Sequence, residues 1–140
     1  MVAATKFQSF VTAVAAGTHV NCLNADSDTL KVVLSLAAPS ASADLLLADL
    51  PAAPTGTGYP GSNDVANAAT TSGGTITVDG SNVTWTAGAA DWTDFRYVSL
   101  YNSTAASGPL IMFWDYGSTV SLGNGETFTF NITTNLFTIS

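Results

Sequence analysis

The chain has 140 residues and a mass of 14.3 kDa, the size of one ordinary domain with enough surface to bury a hydrophobic core. Only 9% of the residues are charged, and three basic residues, Lys6, Lys31 and Arg96, leave a formal net charge of −7. Three cations are too few to neutralise phosphates, so we expect no nucleic acid partner. No apolar run approaches the roughly 20 residues that span a bilayer, and residues 1–17 lack a signal-peptide pattern, so we expect no membrane partner.

The cysteine and histidine content limits the chemistry available to the chain. One cysteine, Cys22, allows neither an internal disulfide nor a cysteine-built metal site. The single histidine, His19, lies three residues before Cys22, but no orienting third group is evident. Cysteine is among the most buried residue types, so a structural role is favoured. We therefore expect no catalytic residue, no metal site and no cofactor.

The first predicted element is a short amphipathic helix from Thr5 to Ala16, within an N-terminal helical segment, residues 1–20. Thr5 is a candidate cap and Gly17 a candidate stop. Four apolar residues recur at the i, i+3, i+4, i+7 spacing of one helical face: Phe7, Phe10, Val11 and Val14. This face docks either on the domain's own sheet, which is favoured, or on a neighbouring chain.

A strand is predicted from Leu30 to Leu36, and residues 44–50 fit either a turn of helix or an edge strand. The next segment, residues 52–74, contains many Gly and Pro residues and few large apolar ones apart from Tyr59 and Val65. So long an irregular segment usually has a function or is ordered by a partner. We predict an extended loop or arm there.

The C-terminal half is rich in strand signals, and Asp79-Gly80 predicts a tight hairpin between the first two strands. The third and fourth strands carry apolar residues on both faces, which predicts that both faces are covered, whereas the fifth alternates Phe with Thr and has one wet face. The predicted strands are Thr75–Val78, Asn82–Thr86, Phe95–Tyr101, Leu110–Tyr116, Thr127–Ile132 and Leu136–Ser140. The pattern predicts a mainly β chain, one domain over residues 1–140, folded as an antiparallel β-sandwich, with the jelly roll left open.

Two acidic patterns invite a functional interpretation. Residues 24–28 place oxygen ligands at alternate positions, as a calcium loop does, but Thr29 stands where that loop needs Gly and Ser35 where it needs Glu. A solvated loop is therefore favoured. Asp91 and Asp94 flank Trp92, as catalytic carboxylates beside an aromatic ring would in a glycosidase. Capping of a turn is the favoured role for both carboxylates.

The aromatic residues form the last candidate group. Rings that present their faces to solvent stack against sugars, but in a β-sandwich most aromatic side chains belong to the core, and the core is favoured here. The residues concerned are Tyr59, Trp85, Trp92, Tyr97, Tyr101, Trp114 and Tyr116.

Taken in order, these segments resemble a set of small virion proteins of tailed bacteriophages. The short amphipathic start, the segment Ala43 to Pro51 and the closing hairpin at Gly125 to Phe130 take part in the resemblance. Its other motifs are Asp28-Thr29-Leu30-Lys31-Val32-Val33-Leu34, Gly58-Tyr59-Pro60-Gly61, Val83-Thr84-Trp85-Thr86, Phe95-Arg96-Tyr97-Val98-Ser99-Leu100-Tyr101 and Trp114-Asp115-Tyr116-Gly117. The resemblance implies a β-rich structural component of the particle, a cement or decoration protein of the capsid, and it brings no catalytic residues.

On this interpretation the protein acts by adhesion. We expect the major capsid protein as partner and a closed homo-oligomer such as a trimer, with contacts made by strand edges and by apolar residues of the helix and the arm. The candidate partner-binding residues are Phe7, Phe10, Val14, Tyr59, Pro60 and Val65. The alternative is a tail-tip or fibre module that binds host surface carbohydrate through Tyr59 and Trp92.

Overall fold

A computed structural model describes residues 3–18 and 28–140. Within these ranges the chain forms ten β-strands, one α-helix and one 3₁₀ turn, which confirms a mainly β fold with a short N-terminal helix. The helix, α1, is Gln8–Ala15 and the 3₁₀ turn is Leu47–Asp49. The strands are β1 (Thr5–Lys6), β2 (Leu30–Ser35), β3 (Ser62–Asp64), β4 (Ala68–Ser72), β5 (Thr75–Asp79), β6 (Val83–Thr86), β7 (Phe95–Asn102), β8 (Leu110–Val120), β9 (Thr127–Phe130) and β10 (Phe137–Ile139).

The strands form three antiparallel sheets. The largest has the order β1-β8-β7-β2-β3, the second β10-β5-β4, and the third pairs β6 with β9. A jelly roll has eight strands in two sheets, so that alternative is not confirmed by these strand orders. Within the described ranges, no helix is long and apolar enough to cross a membrane.

One hydrophobic core joins all three sheets in a sandwich-like arrangement. The alternating pattern of β2 buries Leu30, Val32 and Leu34, as predicted from the sequence. In β9 the phenylalanines are buried while Thr127 and Thr129 are exposed, which confirms one wet face. The core includes Val32, Leu34, Val98, Leu100 and Met112 from the first sheet, Val78 and Phe137 from the second, and Val83, Trp85, Phe128 and Phe130 from the third.

The β7–β8 hairpin is the centre of the largest sheet, and both of its faces are covered. Leu100 lies in the main core, whereas Tyr101, the next residue, packs with Leu110 and Phe7 in a second cluster. Successive side chains of a strand point to opposite faces, so these two clusters lie on the two sides of the sheet. The two predicted strands are confirmed, but β8 runs four residues beyond its predicted end, and the predicted coverage does not extend to the exposed residues 116–119.

The helix begins three residues later than predicted from its pattern. Thr5 and Lys6 form β1 and pair with Phe113 and Met112 of β8. Phe7 then has an extended backbone, with φ −69° and ψ 139°, and is the residue at the N-cap. Backbone pairing with an existing strand therefore outweighs the helical period over the first turn.

Residues 52–74 are not an extended arm, because much of the segment joins the sheets. Ser62–Asp64 pairs with β2, and Ala68–Ser72 pairs with β5. Gly73 and Gly74, with φ of 57° and 82°, form the two-residue turn between β4 and β5. Two positive φ values are what a tight hairpin turn requires, so this glycine pair is a hairpin signal and not a loop signal.

The first part of the same segment is bound along a loop that precedes β7. The backbone of Thr55 accepts a hydrogen bond from Thr93 N (2.8 Å), and Thr55 N donates to Thr93 Oγ1 (2.7 Å). Thr57 O accepts from Gly88 N (2.8 Å) and from Trp92 Nε1 (3.1 Å). These hydrogen bonds add to the few apolar contacts that this stretch makes.

The predicted hairpin at Asp79-Gly80 is wrong. The strand before it, β5, pairs with β4 and β10, and the strand after it, β6, pairs with β9. Gly80 does not have a positive φ, and Ser81 N donates to Val65 O (2.6 Å), so the chain crosses between sheets at this point. Residues 44–50 contain the 3₁₀ turn, which confirms the helical alternative, and an isolated bridge between Leu46 and Pro109, but they form no edge strand.

Candidate interaction surfaces

The outer edge of β4 is an open strand edge. Among the described residues β4 pairs only with β5, and Ala68, Thr70, Thr71 and Ser72 are exposed. Natural sheets protect such edges with charge, proline or bulges. Between Ala68 and Ser72 there is no charged residue and no proline, and the register with β5 runs without a shift. This edge therefore lacks the usual protection.

The tight turn defines which backbone groups this edge presents. In a two-residue hairpin the flanking residues, here Ser72 and Thr75, form a hydrogen-bonded pair, and the next pair along is not hydrogen-bonded. Alternation along the ladder then directs the N–H and C=O groups of Thr71 and Ala69 away from β5. These four backbone groups are the donors and acceptors of the β4 edge.

The six candidate partner-binding residues do not form such a surface. Phe7 and Val65 are fully buried and Phe10 is 6% exposed, so their own chain covers all three. Each side chain occupies one of the two hydrophobic clusters. Val14 and Tyr59 are partly buried against the main core, and Pro60 is exposed. For Phe7 and Phe10 the favoured alternative, docking on the domain's own sheet, is confirmed.

Tyr59 and Trp92, the residues of the carbohydrate alternative, pack on each other. Their ring centroids are 4.9 Å apart in an edge-to-face arrangement, and Trp92 is 3% exposed. Tyr59 Oη accepts a hydrogen bond from Leu34 N (3.1 Å), and burial raises the pKa of Tyr59 to about 12. Both rings hold the 52–61 segment against the core, and Trp92 is too deeply buried to stack with a sugar.

The two carboxylates beside Trp92 link two loops. Asp91 Oδ1 accepts a hydrogen bond from Asn124 N (3.2 Å), and Asp94 Oδ1 accepts one from Ser121 Oγ (2.6 Å). Each carboxylate thus fastens the loop before β7 to the loop before β9. Asp91 therefore contacts a turn residue, Asn124, as its predicted role requires, whereas the predicted capping role is not confirmed for Asp94, which binds the side chain of Ser121.

The calcium-loop pattern lies mostly outside the described residues, as do His19 and Cys22. Asp28, its last member, is buried, and its Oδ2 accepts a hydrogen bond from Asn102 Nδ2 (2.6 Å). Asn67 Nδ2 donates to the Asp28 carbonyl oxygen (3.0 Å). Asp28 therefore joins β7 to the start of β2. The part of the chain that the structure describes contains no group of three side chains suited to holding a metal ion.

A cross-strand ion pair joins β7 to β8. Arg96 Nε and Nη2 donate to the two carboxylate oxygens of Asp115 at 2.7 and 2.8 Å, and Gly117 N donates to Oδ1 at 2.8 Å. The hydrogen bonds from Arg96 lower the pKa of Asp115 to about 2. Sequence reasoning missed this pair, because the irregular register between Phe95 and Tyr97 decides which residues meet.

Comparisons with known proteins leave the functional argument to the chain's own residues. No protein-family model matches the chain, and no curated protein or solved structure matches it significantly. The phage resemblance therefore stays a prediction.

Proposed function

We propose that the chain is a non-enzymatic structural protein of a tailed-phage virion, which decorates or cements the capsid by bridging neighbouring capsid subunits. The open β4 edge carries this proposal. An unprotected strand edge favours the addition of a strand from another chain, in which main-chain hydrogen bonds supply the affinity. The phage resemblance supplies the identity of the partner, the major capsid protein.

The bridging mechanism follows from the backbone groups of the edge. A strand of a capsid subunit pairs with Ala69 and Thr71 and extends the β10-β5-β4 sheet by one strand. A closed oligomer such as a trimer presents one β4 edge per copy, so one assembly reaches several subunits. Simultaneous engagement then converts weak single contacts into durable attachment.

Several acidic side chains accept hydrogen bonds from their own chain, which further supports a structural role over catalysis. Asp28, Asp91, Asp94 and Asp115 each bind a backbone or side-chain donor of their own chain. Carboxylates held as caps and cross-links stabilise the loops around the strands. The acidic residues thus hold the scaffold that presents the β4 edge.

The first test is the copy number of the chain in purified virions of the phage that encodes it. Quantitative mass spectrometry against the major capsid protein measures this ratio. We expect a copy number comparable with that of the major capsid protein. A few copies per particle, removed together with the tail, would overturn the capsid role and favour the tail module.

The second test breaks the edge without breaking the sheet. In Thr71→Pro the outward N–H is lost while the ladder to β5 is kept, since proline is tolerated where the N–H faces solvent. We expect attachment to capsids that lack the protein to weaken at least tenfold in a co-sedimentation assay, with a thermal midpoint within a few degrees of wild type.

The matched control is Thr70→Val, which changes an exposed side chain of the same strand and keeps every backbone group. We expect wild-type attachment from this variant. If Thr71→Pro folds normally and also attaches as wild type does, the β4 edge is not the contact.

A further inference from the structure

A groove lies between β8 and the segment that follows β9. Its volume is about 540 Å³, within the range of about 300–1,000 Å³ that is usual for ligand pockets. Aromatic residues of β8 and the mostly polar segment 131–135 both line it. The lining consists of Ala3, Ala4, Trp114, Tyr116, Thr129, Phe130, Asn131, Ile132, Thr133, Thr134, Asn135 and Leu136.

Two aromatic rings of one strand form part of the lining. Trp114 and Tyr116 are two residues apart in β8, so their side chains share a face of the sheet. Trp114 packs on Phe130 and Tyr116 on Phe128, with ring centroids 5.0 and 5.3 Å apart. The phenylalanines of β9 therefore hold both rings in place. Tyr116 nevertheless keeps 38% of its surface exposed.

The other part of the lining carries amide and hydroxyl groups. Asn131 and Thr133 are exposed and Asn135 is partly buried. None of the hydrogen bonds among the described residues uses the side chains of these three residues or the indole N–H of Trp114. These groups are free to donate to, and accept from, a molecule in the groove.

The groove also has a distinct charge character. No charged residue is among the described residues that line it. A phosphate or a carboxylate would find no cation here, and a metal ion would find no carboxylate. An entirely apolar ligand would leave the amides of Asn131 and Asn135 without partners. The lining fits a neutral molecule with both apolar faces and hydroxyl groups.

We propose that this β8–β9 groove binds a neutral oligosaccharide. The C–H face of a sugar ring stacks on Tyr116 or Trp114, and the sugar hydroxyls exchange hydrogen bonds with Asn131, Thr133 and Asn135. The site uses other strands than the β4 edge, so it does not depend on the proposed capsid attachment. On a particle surface it would give the protein a means of holding glycans.

The test begins with the intact protein on an array of neutral and sialylated glycans. Hits are then titrated by isothermal calorimetry, with maltohexaose, cellohexaose and chitohexaose added as defined neutral probes. We expect binding of one or more neutral glycans. Tyr116→Ala should weaken it about tenfold or more, because a stacked ring and its buried area are lost. Asn131→Ala should weaken it several-fold.

Two matched variants control for general effects of the substitutions. Tyr97→Ala removes a tyrosine of the neighbouring strand, and Asn124→Ala removes an exposed amide in a turn; neither residue lines the groove. Both should bind as wild type does. The proposal is overturned by the absence of neutral-glycan binding at millimolar concentration, by binding of sialylated glycans alone, or by binding that survives both groove substitutions in folded protein.

Discussion

The β7–β8 hairpin and residues 52–74 are both parts of the sheets, but they are held there in different ways. The hairpin places large apolar side chains such as Leu100 and Leu110 in two hydrophobic clusters. Residues 52–74 contribute one fully buried large side chain, Val65, and the partly buried ring of Tyr59, and are otherwise fixed largely by hydrogen bonds to distant loops and strands. The hydrophobic pattern of the sequence therefore predicts attachment by buried side chains, but it does not predict attachment by hydrogen bonds.

The difference has a physical cause. The spacing of apolar residues within a segment shows that one of its faces is buried, whichever element covers that face. The backbone hydrogen bond that Gly88 N donates to Thr57 O depends on where two segments meet and leaves no hydrophobic pattern in either. Polar strands such as β4 therefore look like loops until their partner is known.

The largest expected effect comes from the hairpin. Leu100→Ala removes a fully buried side chain from the main core and should lower the free energy of unfolding by about 2–5 kcal/mol. Urea unfolding followed by circular dichroism measures this. Thr119→Ala, at an exposed position of β8, should stay within about 0.5 kcal/mol of wild type. A loss below about 1 kcal/mol for Leu100→Ala would contradict the described core.

The second prediction tests whether residues 52–74 are packed against the core. Val65→Ala should cost about 2 kcal/mol, because a fully buried side chain loses two methyl groups and leaves a cavity. A free arm would lose nothing. The control is Val11→Ala on α1, where the valine is 53% exposed and the change should be within about 0.5 kcal/mol. If Val65→Ala changed the free energy of unfolding as little as Val11→Ala does, residues 52–74 would be a free arm and not part of the packed fold.

The smallest expected effect on stability concerns the ion pair between Arg96 and Asp115 in the hairpin. The folded pKa of Asp115, about 2, lies below its ordinary 3.8, so the folded state binds this proton less readily than the unfolded state. The stabilisation is therefore present above about pH 4 and is lost as the pH falls through about 2. The difference in unfolding free energy between wild type and Asp115→Asn should be constant above pH 4 and shrink below it. A pH-independent difference would contradict this role.

Several features of the fold were predictable because they depend on local pattern. The strands β2 and β9 follow from apolar alternation, and β7 and β8 follow from apolar residues on both faces. The helical period predicts an apolar face, of which Phe7 and Phe10 are buried and Val11 is 53% exposed. The apolar pattern predicts that such side chains are buried, but it does not predict whether the domain's own sheet or a partner chain covers them. Short isolated helices are unstable until they pack, which favours docking on the domain's own sheet over docking on a partner.

Other features depend on choices that the sequence leaves open. Gly73-Gly74 and Asp79-Gly80 are both good turn signals around the strand at Thr75, and only the first closes a hairpin. The Ala-Ala-Thr-Thr-Ser stretch of β4 could have been found as the strand leading into that first turn. Tyr116, the most exposed groove aromatic, was one of seven candidates, and no local signal separates it from the buried Trp85.

The most direct test of the central claim is a cryo-electron-microscopy reconstruction of the tailed-phage particle of which we propose this chain to be a component. We predict density for the chain on the capsid shell, with a strand of a capsid subunit paired antiparallel or parallel to the outer edge of β4. Density confined to the tail, or a chain on the shell whose β4 edge faces solvent, would contradict the account.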